Sequence, residues 1–131
     1  MSAGLLDTSV VIDWDDPVVL SALPDDVAVC TITLAELAAG PHVASTPAER
    51  SSRQVRLQQV EATFDPLPFD AGAARSYGQM VAAVVGIGRS HPPRVADLLI
   101  AAVAHAQGLH LYTRNPDDFE GLDHLIAITE V

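Results

Sequence analysis

Short apolar segments alternate with longer helical patterns along the whole chain, and this alternation restricts the fold more than any other feature. The apolar segments at residues 4–6, 27–32 and 109–112 are separated by stretches in which apolar residues recur at helical spacing. Strands that alternate with helices in this way indicate βαβ units and a parallel sheet. We therefore expect an α/β fold.

Local signals mark the ends of most elements. Thr33 and Glu36 form a capping-box pattern, which predicts a helix that begins at Thr33 and ends near residue 40. Thr46 and Glu49 repeat the pattern before a helix that ends near residue 62, and Asp70 is the expected N-cap of a helix that ends near residue 85. The remaining predicted elements are a connector or short strand at 66–69, a helix over 94–107 and a last strand over 125–128.

The composition fits one compact domain. The chain has 131 residues, 49% of them hydrophobic, which suffices for a single domain over residues 1–131 with a compact interior. Its one cysteine, Cys30, lies in an apolar segment and is expected to be buried, as in proteins of a reducing compartment. The N-terminus has no basic region, and no apolar segment approaches the roughly 20 residues of a membrane span. We expect a cytoplasmic protein that does not associate with membranes.

The net charge of −10 argues at first against a nucleic-acid partner, because phosphate neutralisation dominates such binding. The distribution of charge qualifies this argument. All seven basic residues are arginines, and Arg50, Arg53 and Arg56 recur at spacing three on one predicted helix face. Such a stripe could bind phosphate, or it could be a solvated face that pairs with neighbouring acids. The charge balance alone leaves both interpretations open.

Four acidic residues lie at the ends of apolar segments, where a parallel sheet would bring them together. They are Asp7, Glu36, Asp97 and Asp117. The carboxyl ends of parallel strands meet at one edge of the sheet, so these carboxylates can converge there. Carboxylates in close proximity repel one another unless a cation neutralises them. Because the donors are oxygens, without a Cys–His set, the pattern predicts a Mg²⁺ or Mn²⁺ site and a metal-dependent hydrolase.

Two of these acids are best judged by their neighbours. Asp97 lies in a helix that is apolar nearly all the way round, where a carboxylate is costly unless it is paired or binds a metal. Its structural alternative is a buried salt bridge to Arg94 or Arg114. Glu36 has an alternative as the reciprocal member of the capping box with Thr33.

The other two acids also have ordinary structural interpretations. Asp7 could cap the turn after its strand, although Ser9 could equally donate a hydrogen bond to its carboxylate. Asp117 lies in a polar turn of common turn-forming residues. The five histidines have no metal-ligand spacing, and the chain has neither a serine-hydrolase elbow nor a lysine-containing phosphate loop.

Four segments, in order along the chain, resemble the motifs of PIN-domain ribonucleases, most closely the VapC toxins of bacterial toxin–antitoxin pairs. They are residues 6–12 (LDTSVVI), 33–37 (TLAEL), 96–102 (ADLLIAA), and 113–115 with 117–119 (TRN and DDF). The resemblance spans the chain. It implies a three-layer α/β/α sandwich around a central, mainly parallel sheet, Mg²⁺ or Mn²⁺ at the carboxylates, and endonucleolytic cleavage of RNA.

The resemblance also implies residue roles and partners. The catalytic acids would be Asp7, Glu36, Asp97 and Asp117, supported by Ser9, Thr113 and Asn115. Asp7 and Asp97 would be the principal metal ligands, and Glu36 would bind or orient metal-bound water. Asp118 is the alternative to Asp117 as the fourth acid. The expected partners are RNA, a cognate antitoxin protein and a second copy of the chain, in a homodimer within a larger toxin–antitoxin complex.

One departure from the family keeps a second function open. Many PIN domains have an aspartate where this chain has Asn115, and a neutral amide there should weaken any second metal site. The alternative is a catalytically weak PIN-like module that binds RNA or protein. A receiver-type signalling domain shares the sheet and the acids but needs a lysine, and the chain has none.

Overall fold

A parallel four-stranded sheet forms the centre of the protein, in a computed structural model that describes residues 3–131. The strands are β1 (Gly4–Leu6), β2 (Val27–Ala28), β3 (His110–Thr113) and β4 (Ile128–Glu130). Their order across the sheet is β2-β1-β3-β4, and each adjacent pair is parallel. The central position of β1 places the residue that follows it, Asp7, in the middle of the carboxyl edge of the sheet.

Helices cover both faces of the sheet. They are α1 (Thr8–Ile12), α2 (Pro17–Ser21), α3 (Thr31–Ala39), α4 (Pro47–Thr63), α5 (Ala71–Gly86) and α6 (Val95–Gln107). Short 3₁₀ turns at Gly40–Val43, Pro92–Arg94 and Pro116–Phe119 join some of them. Among the described residues, no helix is both long enough and apolar enough to cross a membrane.

Two hydrophobic cores, one on each face, hold the three layers together. Leu5 and Leu6 are both fully buried but point into different cores, because successive side chains of a strand alternate between faces. Leu5 packs in the core that contains residues of α5 and α6, and Leu6 packs with residues of α1, α3 and α4. Each fully buried leucine contributes about 1.5 to 3 kcal/mol to folding. The expected α/β/α sandwich is confirmed.

Several predicted helix ends are present. The Thr46 hydroxyl accepts a hydrogen bond from Glu49 N at 3.1 Å, and Glu49 Oε2 accepts one from Ser45 N at 3.0 Å. Asp70 caps α5 by accepting from Ala73 N. Gly108 ends α6 at φ +66°, a left-handed conformation that glycine adopts without a steric cost.

Three predicted boundaries are wrong. The second strand ends at Ala28 rather than residue 32, and α3 begins at Thr31, so Thr33 lies inside the helix and does not cap it. Cys30 is buried as expected, and it pairs with Leu67 in an isolated parallel bridge. The last strand is Ile128–Glu130 rather than 125–128, because residues 122–126 form a turn whose apolar side chains fill the core.

Candidate active site

Asp7 is held at the carboxyl edge of the sheet by two hydroxyl groups. The pairing of β1 with β3 aligns Leu6 with Tyr112, and Asp7 N donates to Tyr112 O at 2.9 Å. Asp7 therefore lies beside Thr113, the last residue of β3. Its carboxylate, in a residue that is 4% exposed, accepts hydrogen bonds at Oδ2 from Ser9 Oγ at 2.7 Å and Thr113 Oγ1 at 2.8 Å.

The backbone after β3 fixes the direction of these two hydrogen bonds. Ser9 Oγ accepts from Arg114 N at 3.0 Å, and Thr113 Oγ1 accepts from Asn115 N at 3.0 Å. Each hydroxyl thus uses a lone pair on the backbone and its single proton on Asp7. Within residues 3–131, Asp7 Oδ1 has no hydrogen-bond donor, so this oxygen is available to a ligand. Asn115 takes part in the network through its backbone rather than its side-chain amide.

Glu36 is held by Thr8 rather than by a helix cap. The Thr8 hydroxyl donates to Glu36 Oε1 at 2.7 Å and lies 3.0 Å from the hydroxyl of Thr33, which is fully buried. The capping interpretation of Glu36 is therefore wrong. Sequence reasoning missed Thr8 and Thr33 as supporting residues. The sequence signal for Thr8 was only its position directly after Asp7. Its contact with Glu36 could not be predicted, because the two residues are 28 positions apart.

Among residues 3–131, Asp97 has no hydrogen-bonding partner, and the charges of other acids act on it. Burial raises the pKa of its carboxyl group from 3.8 to about 7, and the negative charges of Asp7, Asp118 and Glu36 contribute to the rise. The Arg94 charge acts in the opposite direction. In the described part of the chain, Asp97 makes no ion pair within 4 Å, so the alternative of a buried salt bridge is not observed.

The two candidates for the fourth acid, Asp117 and Asp118, differ in exposure and in the effect of their charge on Asp97. Both lie on the 3₁₀ turn Pro116–Phe119, which the buried Phe119 anchors in the core. The Asp117 side chain is exposed, and its carbonyl accepts a hydrogen bond from Arg89 Nη1 at 2.9 Å. Asp118 is half-buried, and its charge is one of those that raise the pKa of Asp97. Of the two, Asp118 is the one whose charge acts on Asp97.

The donor set suits a hydrated cation rather than a closed metal cage. Among residues 3–131, no three acidic, histidine or cysteine side chains are arranged to enclose one metal ion. Mg²⁺ does not need such a cage, because it keeps several waters and binds through one or two carboxylates. The free Oδ1 of Asp7 and the unpaired carboxylate of Asp97 fit that requirement. A divalent cation would also offset the mutual repulsion of the acids.

The three arginines of the predicted stripe all lie on α4 and anchor it to neighbouring segments. Arg50 Nε donates to Pro41 O at 3.0 Å, and Arg53 Nη1 donates to Gly40 O at 2.9 Å. Arg56 pairs with Asp15 at 2.7 Å. The interpretation as a face that pairs with acids thus holds for Arg56 and, through a looser ion pair with Glu49 at 3.8 Å, for Arg53, whereas Arg50 binds a carbonyl oxygen.

A profile of the PIN domain matches residues 4–125. The chain belongs to the PIN-domain family. It is 40% identical to Ribonuclease VapC5 of Mycobacterium tuberculosis over 129 residues, which cover 97% of this chain and 93% of that protein. It is 34% identical to Ribonuclease VapC8 of the same species over 104 residues, 79% of this chain and 92% of that protein.

A solved structure supports the same assignment within the family. The crystal structure of VapBC-5 from Mycobacterium tuberculosis, a member of the VapBC family of toxin–antitoxin systems, matches with a TM-score of 0.83 and 36% identity. The match covers 100% of this chain and 98% of the matched chain. This PIN domain is therefore of the VapC type, as the sequence motifs indicated.

Proposed function

We propose that this PIN domain is the toxin of a toxin–antitoxin pair and cleaves RNA endonucleolytically with Mg²⁺ or Mn²⁺ bound at Asp7 and Asp97. The observation that carries the proposal is the pair of unlike carboxylates. Within the described residues 3–131, Asp7 is fixed by Ser9 and Thr113 with one oxygen free, and Asp97 lies among like charges with no compensating ion pair. The similarity to proteins named as ribonucleases supplies the reaction class.

Different acidic residues have different roles in the proposed reaction. A divalent cation, when bound, supplies positive charge that polarises a phosphodiester and its attacking water. The two hydroxyls that bind Asp7 Oδ2 fix the orientation of the carboxylate and thus the direction of Oδ1. Glu36, held at Oε1 by Thr8, keeps Oε2 available to accept a proton from the attacking water. We assign the role of fourth acid to Asp118 in place of Asp117.

The proposed protein partners are a cognate antitoxin and a second copy of the chain. Support for the antitoxin comes from the similar VapBC-5 of Mycobacterium tuberculosis, which by its name is a member of the VapBC family of toxin–antitoxin systems. An antitoxin arginine would satisfy the acids by a charge-assisted hydrogen bond, as a cation would. Binding of the antitoxin at the acids would therefore exclude RNA from them.

The test is 5′-end mapping of total cellular RNA after brief induction, with the native chain compared with Asp7→Asn. We expect new ends at a few defined sites with the native chain and none with the variant. This comparison identifies the substrate and tests the nuclease together. Identical maps, together with equal growth arrest by both chains, would contradict the proposal.

A second candidate function is a catalytically weak module that binds RNA or protein. It is favoured by the neutral Asn115 and by the lack of a three-ligand metal group among the described residues. This candidate predicts that RNA or antitoxin binding, and any toxicity, survive replacement of both Asp7 and Asp97. Loss of toxicity in either single variant would exclude it.

A further inference from the structure

A groove adjoins the acids and is bounded on one side by arginines of α4. It has a volume of about 390 Å³, and its lining includes Thr8, Ile12, Glu36, Leu37, Arg53 and Arg56. Thr8 and Glu36 are the hydrogen-bonded pair of the candidate active site, so the groove opens directly beside the acids. We call this depression the arginine groove.

The two arginines of the groove are held very differently. Arg56 donates to Asp15 at 2.7 Å and to Gln59 at 2.8 Å, and its side chain is only 15% exposed. Arg53 donates to Gly40 O, its nearest carboxylate oxygen lies 3.8 Å away on Glu49, and its side chain is 44% exposed. Within residues 3–131, most N–H donors of Arg53 are therefore without a hydrogen-bond acceptor and can bind a ligand, whereas those of Arg56 are largely occupied.

We propose that Arg53 binds a backbone phosphate of the RNA next to the one that is cleaved; this inference rests on the proposed ribonuclease function. The acids at the mouth of the groove repel a polyanion, in a chain whose net charge is −10. A phosphate in the groove therefore needs a nearby cation, and the guanidinium of Arg53 offers a planar, permanently charged donor group. Arg56, fixed by Asp15, forms the adjacent wall.

The shape of the groove suits a nucleotide unit better than an isolated anion. Its volume lies within the range of about 300 to 1,000 Å³ that is usual for small-ligand sites. Ile12, 57% exposed, and Leu37 provide apolar surface for a ribose or base beside the arginine. An RNA strand in the groove would thus contact apolar surface, Arg53 and Glu36.

The experiment measures RNA binding as a function of salt. The probe is a fluorescein-labelled, random-sequence single-stranded RNA of roughly 12 nucleotides, within the usual site size of about 4 to 16. All variants carry Asp7→Asn and are measured in EDTA, so that the probe is not cleaved. Arg53→Gln is compared with Arg53→Lys and with Arg75→Gln, a matched charge change at an exposed position of α5 on the opposite face of the sheet.

We expect Arg53→Gln to weaken binding about five- to tenfold at low salt. The slope of log K against log salt concentration should fall in magnitude by about 0.7, the value for one phosphate of a single strand. Arg53→Lys should keep the slope, and Arg75→Gln should bind like its parent. Equal slopes for Arg53→Gln and Arg75→Gln, or no RNA binding by the Asp7→Asn parent, would overturn the proposal.

Two further readouts separate this proposal from the proposed function. RNA cleavage in Mg²⁺, measured without the Asp7→Asn background, tests the nuclease itself. An altered salt slope without any cleavage would keep the phosphate site and reject the nuclease. An unaltered slope together with loss of the co-purified antitoxin from Arg53→Gln would assign the groove to the protein partner and overturn the proposal. Circular dichroism spectra that match the parent show that each variant is folded.

Discussion

Asp7 and Asp97 lie at the same edge of the sheet, yet the fold holds them in opposite ways. Asp7 follows a central strand, and two hydroxyls bind its Oδ2 at 2.7 and 2.8 Å. Asp97 is on α6, and in the described part of the chain it has neither a hydrogen-bond donor nor an ion pair. Strand pairing therefore orients one carboxylate in advance, whereas the other is left with an electrostatic cost that an added cation can remove.

The difference bears on how the proposed cation site would be built from few residues. The hydroxyls that orient Asp7 are themselves anchored by the backbone N–H groups of Arg114 and Asn115. The Asp7 carboxylate is therefore oriented without a neighbouring positive charge. The pKa of the Asp97 carboxyl group, by contrast, is raised by burial and by the neighbouring acids. In the proposed site, Asp7 would supply direction, and the crowding of charges around Asp97 would supply affinity for a cation.

The largest expected effect is on catalysis, where both carboxylates should be indispensable despite their different surroundings. We expect Asp7→Asn and Asp97→Asn each to lower the cleavage rate about 1,000-fold, because each removes a charged cation ligand. The double variant should be little worse than either single one, since both act at one centre. Initial rates on the mapped RNA provide the measurement. Retention of more than about a tenth of the native rate by Asp97→Asn would contradict the proposal that Asp97 binds the cation together with Asp7.

The next effect tests the hydrogen bonds that orient Asp7. Thr113→Val keeps the shape of the side chain but removes the hydrogen bond to Asp7 and leaves Asn115 N without its acceptor. We expect a loss of about 1 to 3 kcal/mol in the free energy of unfolding and a 10- to 100-fold lower cleavage rate.

The matched control for this variant is Thr129→Val, at an exposed position of β4, which should cost less than about 0.5 kcal/mol. Urea unfolding and initial cleavage rates measure the two quantities. Equal stability and equal activity of the two threonine variants would show that the hydroxyl network does not orient Asp7.

A third prediction tests the electrostatic cost of the Asp97 carboxylate through the pH dependence of stability. The pKa of Asp97 is about 7 in the folded chain and 3.8 ordinarily, so between these values the folded chain binds more protons than the unfolded chain. The free energy of unfolding in EDTA should therefore fall as pH rises from about 4 to about 7 and stay lower above it. After allowance for the partial exposure of Asp97, the loss should be about 2 kcal/mol.

Asp97→Asn isolates this contribution from the other titrating groups. Its melting temperature at pH 8 should exceed that of the native chain by roughly 5 to 10 °C, and the two should converge near pH 4. Thermal unfolding followed by circular dichroism measures both curves. Parallel curves, with no pH-dependent difference between the chains, would mean that Asp97 carries no such cost.

The smallest expected effect distinguishes the two adjacent aspartates of the 116–119 turn. Asp118→Asn should lower the pKa of Asp97, because it removes one of the charges that raise it, and Asp117→Asn should leave that pKa unchanged. Cleavage should fall less than about tenfold in Asp118→Asn and hardly at all in Asp117→Asn. Carboxyl-carbon NMR titration reports the pKa. A larger effect of Asp117→Asn would restore it as the fourth acid.

Much of the architecture could be predicted from the sequence because its signals are local. The caps at Thr46 and Asp70 and the stop at Gly108 depend on residues within one or two turns of the helix ends. Asp7 could be placed because it follows a strand, and parallel pairing brings the ends of strands to one edge of the sheet; Glu36 and Asp97 instead lie on helices. The expected Ser9–Asp7 hydrogen bond is also local, and the structure contains it at 2.7 Å.

The errors arise where tertiary packing decides between local alternatives. Glu36 fits a capping box with Thr33, but α3 begins two residues earlier and Glu36 binds Thr8 across 28 residues. The choice between Asp117 and Asp118 is not an error but a prediction that the variants above test; it depends on how the buried Phe119 positions the turn, which two adjacent identical residues do not reveal. Contacts of this kind depend on packing between elements, and no short-range pattern encodes them.

The central claim, that Asp7 and Asp97 together form the cation site, is tested most directly by counting the protons released when Mn²⁺ binds. Isothermal titration at about pH 6.5, in buffers of different ionisation enthalpy, gives this number. With a pKa of about 7, Asp97 should release about three quarters of a proton in the native chain. Asp97→Asn should release almost none. Tight Mn²⁺ binding without proton release by the native chain, or the same release from the variant, would contradict the claim.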